Sequence, residues 1–280
     1  MKKYILFLGI SFFAMTLFMI GCNTNTVVDS NDEKAKIIAV ANHKGGVGKT
    51  ASVTSIGAIL AAKGKKVLLV DLDTQANLTR HFMEDIPSRI VYHAIKDRKD
   101  LPVYQIRENM DIVPSGLDMA GIEIDMTSMR KREEIIKDLL EPYKNRYDFI
   151  FLDCPPSLGL VTLNALTAAN KLIVPMKADL MSFYGLGMMD NFCAGMQDLN
   201  PGIHIDLIFF NIYEKGQNMT DAIETEVREK YGDRVLNSVV RKNNDIAKAA
   251  FEFTDVVSAY PEANGSKDFQ ALANEILERL

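Results

Sequence analysis

The sequence predicts an α/β fold with a mostly parallel, twisted sheet that carries helices on both faces. Short apolar runs bounded by turns alternate along the chain with segments of helical spacing. The runs are apolar throughout, which is typical of strands that helices cover on both sides. Regular alternation of strand and helix favours a parallel sheet, because consecutive parallel strands need a crossover connection.

Seven strands and six helices are predicted in this alternation. The predicted strands are Ile37–Asn42, Val67–Asp71, Met110–Val113, Phe149–Asp153, Lys171–Pro175, Ile205–Phe210 and Val235–Val239. The predicted helices are Thr50–Lys63, Ser128–Tyr143, Leu158–Ala169, Gly185–Asp198, Thr220–Tyr231 and Phe269–Leu280. Ligands of such folds bind beyond the carboxyl ends of the strands, so the functional residues are expected there.

Length and composition are those of a globular protein. The chain has 280 residues, of which 48% are hydrophobic and 25% charged, and its net charge is −5. This charge disfavours a protein coated in basic surface but is compatible with a local basic patch. Cys22, Cys154 and Cys193 lie far apart without C-x-x-C spacing, which disfavours disulfide-scaffold, iron–sulfur and zinc proteins.

A glycine-rich stretch follows the first predicted strand. Lys44–Thr50 reads Lys-Gly-Gly-Val-Gly-Lys-Thr, with a second lysine at its head and His43 where the general P-loop pattern has glycine. Such a turn directs backbone N–H groups at phosphates, Lys49 would reach the β- and γ-phosphates, and the Thr50 hydroxyl would bind Mg²⁺. The stretch predicts a P-loop for a nucleoside triphosphate. The predicted nucleotide-binding residues are Gly45, Gly46, Val47, Gly48, Lys49, Thr50 and Ala51.

Two carboxylates end the second predicted strand. Asp71 is expected at the depth of a Mg²⁺ ion, and Asp73 follows two residues later. Because Mg²⁺ keeps several waters, one carboxylate commonly acts through water, and the other is placed to orient or deprotonate an attacking water. The alternative is that one of the two only caps the next short helix.

A second apolar strand also ends in aspartate. Asp153 closes the run Phe149–Asp153, as in a Walker B strand, and would hold the metal through its water shell. The rigid turn at residues 154–157 (Cys-Pro-Pro-Ser) would lie near a γ-phosphate, where it can sense the triphosphate and move when that is lost.

With these motifs the chain resembles the ParA/MinD group of deviant Walker A ATPases, and most closely the Soj-like ParA partition proteins. The resemblance covers about residue 36 to the C-terminus. The matching stretches are Lys44–Thr50, Val70–Thr79, Leu152–Ser157, Ile173–Pro175 with Gly185-Leu186, and Val239–Ala249.

The resemblance implies a slow, partner-stimulated ATPase that forms an ATP-dependent sandwich homodimer. Lys44 would cross to the partner's phosphates while Lys49 serves its own subunit. Asp73 falls on the water-activating position, and Asp71 and Asp153 fall on Mg²⁺-associated positions. The resemblance therefore implies Lys44, Lys49 and Asp73 as catalytic residues. It also places Asn211 where related enzymes contact adenine.

Two residues depart from the family pattern. Thr74 stands where proline is usual, a change expected to be harmless. Ala51 replaces a threonine or serine and removes one hydroxyl near the α-phosphate. We expect a modestly weaker nucleotide affinity, since the backbone N–H can still donate there.

The resemblance also implies non-specific DNA binding in the ATP state, with release after hydrolysis that a ParB-type partner stimulates. Such a protein moves DNA or other cargo. Lys215, Arg241 and Lys242 fall in regions that the family uses for DNA, and phosphate contacts there would bring strong salt dependence. The alternative is that these residues are solvated surface charges.

Two other functions compete with partition. A MinD-like membrane-associated positioning ATPase would need a basic amphipathic helix at the C-terminus, whereas residues 275–280 are short and not basic. An exported, catalytically idle nucleotide-fold binding protein is the alternative from another class, and detectable ATP turnover would exclude it.

The first 33 residues differ from the ATPase domain expected at residues 34–280. Lys2 and Lys3 precede an apolar run, Tyr4–Ile20, that ends before Cys22 and resembles a bacterial lipoprotein signal. A working signal conflicts with an ATP site, because ATP is scarce outside the cell. A signal, an uncleaved anchor and an upstream extension that the working protein lacks all remain open. We expect a cytoplasmic, nucleoid-associated ATPase, with membrane contact only if this segment is an anchor or Cys22 is lipidated.

Overall fold

One eight-stranded sheet organises the described part of the chain. The computed structural model describes residues 34–216 and 218–280. The strands are β1 (Lys36–Val40), β2 (Val67–Asp71), β3 (Tyr104–Arg107), β4 (Met110–Val113), β5 (Phe149–Asp153), β6 (Lys171–Met176), β7 (Leu207–Tyr213) and β8 (Val240–Arg241). Their spatial order is β3-β4-β2-β5-β1-β6-β7-β8, and all pairs are parallel except β3 with β4. The predicted fold class is confirmed.

Eleven α-helices accompany the sheet in the described residues. They are α1 (Lys49–Ala62), α2 (Asn77–Phe82), α3 (Val91–Asp97), α4 (Ile122–Thr127), α5 (Ile135–Leu140), α6 (Leu160–Ala168), α7 (Leu180–Ala194), α8 (Asn218–Tyr231), α9 (Asn244–Phe251), α10 (Val256–Ala259) and α11 (Asn264–Arg279). Short 3-10 turns lie at Leu117–Gly121, Glu141–Tyr143 and Gly232–Arg234.

The apolar strands build two cores, one on each face of the sheet. In β1, Ile37 and Ala39 point to the face covered by α3 to α8, and Ile38 and Val40 point to the face covered by α1, α2 and α9 to α11. Because successive side chains of a strand alternate in direction, a strand covered on both sides must be apolar at every position. This explains why the runs do not alternate with polar residues.

The boundaries of β2, β4 and β5 are confirmed, but the strand predicted at Val235–Val239 is wrong. Only Val235 forms an isolated bridge there, with Ile208 of β7. The N–H groups of Asn237 and Ser238 instead donate to the Glu275 carboxylate, each at 2.8 Å. Because the Glu275 side chain accepts from amides that a strand would use for pairing, pairing with β7 resumes only at β8.

The long helix predicted at Ser128–Tyr143 is also wrong. Lys131 has a φ of 50°, a left-handed conformation that interrupts a helix, so the regular part shortens to α5 and the 3-10 turn after it. The helix predicted at Gly185–Asp198 begins five residues earlier in the structure, as α7, because Asp179 accepts a hydrogen bond from Ser182 N and caps it.

The boundary predicted between residues 33 and 34 stays a prediction. The lipoprotein-like segment, with Cys22, lies outside the described residues. Within the part that is described, no helix is both long and apolar enough to span a bilayer.

Helix α1 approaches the sheet closely at a glycine. A Cβ atom built on Gly57 would lie 2.8 Å from Cδ2 of Leu69 in β2. The absence of a side chain at this position therefore sets the distance between the sheet and the helix that continues the P-loop.

We predict that Gly57→Val lowers the free energy of unfolding by roughly 1–3 kcal/mol, because the added methyl groups overlap Leu69. Urea unfolding measures this. Gly187→Ala is the matched control: no described atom lies within 4 Å of its added Cβ, so it should stabilise the helix by about 0.5–1 kcal/mol. Wild-type stability of Gly57→Val would contradict the close packing of α1.

Candidate nucleotide and metal site

Two glycines shape the loop between β1 and α1. Gly46 has a φ of 67° and Gly48 a φ of 87°, values that other residues reach only with strain. Gly48 is also the N-cap of α1, and the described side chains provide no cap for this helix end. The first N–H groups of a 14-residue helix are therefore available to an anion, together with the positive end of its dipole.

Asn211, at the carboxyl end of β7, holds this loop from the side. Its Nδ2 donates to Val47 O at 3.0 Å, and its Oδ1 accepts from Ile212 N at 2.8 Å. A Cβ on Gly48 would lie 2.0 Å from the same Nδ2. Asn211 also lines the cavity beside the loop, so an adenine contact remains a prediction. Its role in fixing the loop was not predicted from the sequence.

The two lysines of the loop point in different directions. Lys49 is buried and its Nζ donates to Asn42 O at 3.2 Å, inside the loop. Burial lowers the pKa of Lys49, and the Asp153 charge opposes this shift. Lys44 extends away to Asp179, with its Nζ 2.7 Å and 2.6 Å from the two carboxylate oxygens.

Thr50 and Asp153 form the candidate metal site. Thr50 Oγ1 donates to Asp153 Oδ2 at 2.7 Å. The other oxygen, Oδ1, is buried and has no hydrogen-bond partner among the described residues. Burial and the neighbouring Asp71 raise the pKa of Asp153 well above its usual range. An orphaned carboxylate oxygen beside a threonine hydroxyl fits a hard, oxygen-seeking cation such as Mg²⁺.

Asp71 lies beside Asp153 and holds the next loop in place. The two residues are partners in the register of β2 with β5. Asp71 accepts hydrogen bonds from Asp73 N at 3.1 Å and from the N and Oγ1 of Thr79 at 2.8 Å and 2.7 Å. Burial raises its pKa to about 7. The structure thus gives Asp71 a positioning role, and its predicted association with Mg²⁺ stays a prediction.

Asp73 faces the cavity from the loop that Asp71 fixes. Its Oδ1 accepts from Gln75 N at 3.0 Å, and its carbonyl accepts from Ser115 Oγ at 2.6 Å. The alternative that one of the two aspartates only caps the next short helix has support at Asp71, which accepts from Thr79 N in the first turn of α2. The Asp73 carboxylate instead holds the Gln75 amide before that helix. The same carboxylate lines the cavity together with the P-loop.

The cavity over the P-loop has a volume of about 640 Å³, in the usual range for a small-molecule site. Its polar lining includes Lys49, Thr50 and Asp73 beside the loop glycines. Its apolar lining includes Ile212 of β7 and Ile246, Ala247 and Ala250 of α9. Residues of this cavity that sequence reasoning missed are Gln75, Asn77, Arg80, His81, Ile212, Asn243, Ile246, Ala247 and Ala250. Pro156, from the turn predicted to lie near a γ-phosphate, also lines the cavity.

His81 is the most unusual of the missed residues. Its Nε2 is buried without a hydrogen-bond partner in the described part of the chain, and burial lowers its pKa to about 4. The imidazole is therefore neutral at physiological pH. No local sequence pattern predicts this role of His81, because this part of the cavity wall forms only when α2 packs against α9.

The three candidate DNA-contacting residues lie around the ends of β7 and β8. Arg241 forms a forked ion pair with Asp268, with Nη2–Oδ1 2.7 Å and Nε–Oδ2 2.9 Å. Lys242 Nζ lies 3.4 Å from Glu214 Oε1. Lys215 is in the exposed turn after β7. Arg241 and Lys242 also line the nucleotide cavity.

Comparisons with known proteins agree with this geometry. A family model described as an AAA domain matches residues 35–205. The chain is 34% identical over 248 residues to the sporulation initiation inhibitor protein Soj of Bacillus subtilis, covering 86% of this chain and 98% of Soj.

Two solved structures are also similar. Cobyrinic acid a,c-diamide synthase from Mycobacterium smegmatis, with a bound ATP analogue and magnesium, has a TM-score of 0.76 and 28% identity over 87% of this chain and 95% of its own. A plasmid partition protein from Borrelia burgdorferi bound to AMPPNP has a TM-score of 0.76 and 26% identity over 88% of this chain and 100% of its own.

The parallel sheet, the glycine loop and the aspartates at the strand ends define a P-loop ATPase fold. Within the class of P-loop ATPases, the sequence similarity points to one family. The chain belongs to the ParA/Soj family of partition ATPases.

We predict that Asp153→Asn stabilises the nucleotide-free, Mg²⁺-free protein, and more so at pH 8 than at pH 5. A carboxyl whose pKa is raised on folding contributes stability below its unfolded value, near 3.8, and loses it as the pH rises through the folded value. Asparagine removes that loss. Thermal unfolding measures it, with about 2–4 °C expected per kcal/mol for a chain of this size.

The same variant should lose the extra stabilisation that Mg²⁺ gives the ATP-bound protein. Asp118→Asn, at an exposed position, is the control and should keep it. An Asp153→Asn protein that responds to Mg²⁺ like the wild type would remove Asp153 from the metal site.

Proposed function

We propose that this protein is an ATP-hydrolysing, ATP-dimerising partition or positioning protein that binds non-specific DNA in its ATP state. The observation that carries the proposal is the arrangement of two lysines at one loop: Lys49 is buried in its own cavity, and Lys44 extends out of it. A ParB-type partner stimulates hydrolysis, and the cargo is DNA or another large assembly. Family membership and the ATP-analogue complexes of the similar structures support this function.

ATP and Mg²⁺ are bound at the carboxyl edge of the sheet. The N–H groups of residues 45–51 hold the phosphates, and Lys49 neutralises them. Thr50 and Asp153 hold Mg²⁺, which shields the phosphate charge during hydrolysis. The apolar side chains Ile212 and Ile246 of the cavity lining take the base, and Asn211 in the same lining contacts it.

Asp73 orients and activates the water that attacks the γ-phosphate. Its carboxylate faces the cavity, and Asp71 fixes the loop that carries it through the Asp73 N–H. A general base must lie within reach of the water, which the cavity position of Asp73 satisfies. Hydrolysis yields ADP and phosphate.

Two copies meet at the edges of their sheets where the strands have their carboxyl ends. There, Lys44 of each copy reaches the phosphates of the nucleotide bound to the other copy. The partly exposed Lys44 side chain and its direction away from Lys49 support this role. A catalytic site that needs a second lysine from a partner couples nucleotide binding to dimerisation.

DNA binding uses Lys215, Arg241 and Lys242. Because Arg241 and Lys242 are held by Asp268 and Glu214, a DNA phosphate must share or replace those carboxylates. Both ion pairs are exposed on the cationic side, where water and salt screen the attraction, so a DNA phosphate can compete with the carboxylates for these cations.

We predict that Asp73→Ala and Asp73→Asn bind ATP within a few-fold of the wild type but hydrolyse it about 10²–10⁴-fold more slowly. Asparagine keeps an oxygen to accept the Gln75 N–H, so loop geometry is retained while the base is lost. Phosphate release under single-turnover conditions measures the rate. Turnover of Asp73→Asn at the wild-type rate would refute the assignment.

We predict salt-sensitive binding of a random-sequence DNA duplex with ATP and much weaker binding with ADP. Fluorescence anisotropy over a salt series gives the slope of log K against log salt, and Lys242→Gln should reduce it by about 0.9 if it contacts one phosphate. Lys63→Gln, in the exposed turn after α1, is the control. Equal binding with ATP and ADP, or none in either state, would contradict the DNA cycle; binding to lipid vesicles instead would favour the MinD-like alternative.

A further inference from the structure

One carboxylate connects the head of the P-loop to helix α7. Asp179 holds Lys44 Nζ with both oxygens, at 2.7 Å and 2.6 Å. Its Oδ1 also accepts from Ser182 N at 2.8 Å and so caps α7. Asp179 is therefore at once the counter-ion of Lys44 and the first hydrogen-bond acceptor of the helix.

Asn42 holds the backbone at the head of the P-loop. Its Oδ1 accepts from Lys44 N at 2.9 Å, and its Nδ2 donates to Pro175 O in β6 at 2.9 Å. A Cβ on Gly185 of α7 would lie 3.2 Å from the same Oδ1, so α7 packs closely against this amide. The backbone of Lys44 is thus tied through Asn42 to β6, and only its side chain is free to change partner.

We propose that Asp179 is a positioning residue that holds Lys44 before dimerisation, and that this ion pair opens when Lys44 reaches the phosphates of a second copy. The inference rests on the proposed role of Lys44. The Lys44 ammonium cannot form its full ion pair with Asp179 and also bind phosphates across an interface. The carboxylate and the phosphates therefore compete for one cation.

The ion pair also bears on an exposed apolar face. Leu180, Tyr184 and Met188 are spaced by four residues along α7, so they share one side of the helix, and all three are exposed. That face begins at the residue after Asp179. Opening the ion pair changes the charge beside this face while Asp179 continues to cap the helix.

The test compares Asp179→Asn with the wild-type full-length chain. Asparagine caps helices as well as aspartate does, so α7 is retained while the charge that holds Lys44 is removed. Sedimentation with the non-hydrolysable analogue AMPPNP measures the protein concentration of half-dimerisation. Because partly exposed ion pairs are weak, we expect a decrease of roughly two- to fivefold.

A salt series separates this role from a structural one. The ratio between wild type and Asp179→Asn should shrink towards one as ionic strength rises from 0.05 to 0.5 M, as roughly expected for a screened ion pair. AMPPNP affinity of the monomer and the unfolding temperature should be unchanged. Glu262→Gln, which removes the partner of Lys267 in an exposed pair of 3.0 Å, is the matched control and should leave dimerisation unchanged.

Each outcome decides the inference. Tighter dimerisation of Asp179→Asn that fades with salt supports it. Unchanged or weaker dimerisation, in a protein whose wild type dimerises and whose Lys44→Ala variant does not, overturns the inference alone. A wild type that stays monomeric with AMPPNP, or a Lys44→Ala variant that dimerises normally, overturns the proposed function and this inference with it.

Discussion

Two buried aspartates lie side by side where the strands of the sheet have their carboxyl ends, and they determine which groups must pack around them. Asp71 and Asp153 are register partners on β2 and β5, and burial raises the pKa of both. Two carboxylates buried side by side need hydrogen-bond donors or nearby positive charge. The hydroxyls of Thr50 and Thr79 are the donors, and the ammonium of Lys49 adds positive charge near Asp153. The helix after the P-loop and the start of α2 must therefore sit where these donors reach the pair.

This constraint explains the asymmetry between the two aspartates. Asp71 has each oxygen occupied by at least one donor from its own loop and α2, whereas Asp153 keeps one buried oxygen without a partner in the described residues. In the proposed function, a divalent cation would add the missing positive charge at Asp153. Protonation also neutralises a buried carboxylate. Because the pKa values of Asp71 and Asp153 are raised on folding, the ligand-free protein is expected to be more stable at lower pH.

Local motifs could be predicted from the sequence, and long-range hydrogen bonds could not. The P-loop and the aspartates at strand ends depend on residues within a few positions of each other, and the boundaries of β2 and β5 follow from their apolar runs. In contrast, Asn211 holds Val47 across 164 residues, and Lys44 meets Asp179 across 135. Such partners become visible only when the sheet order places β6 beside β1 and β7 beside β6.

The position of Arg241 gives a physical route from nucleotide to DNA. Its side chain lines the nucleotide cavity, and its guanidinium and backbone N–H both bind Asp268 at the start of α11. A ligand in the cavity contacts the segment that carries the candidate DNA cations, so it can bias the conformation of that segment directly. Since the chain as a whole is acidic, the proposed DNA binding would draw its attraction for phosphates from a few cations presented together by this segment rather than from net charge. Proposed binding of this kind would be switched by a small rearrangement at the cavity wall.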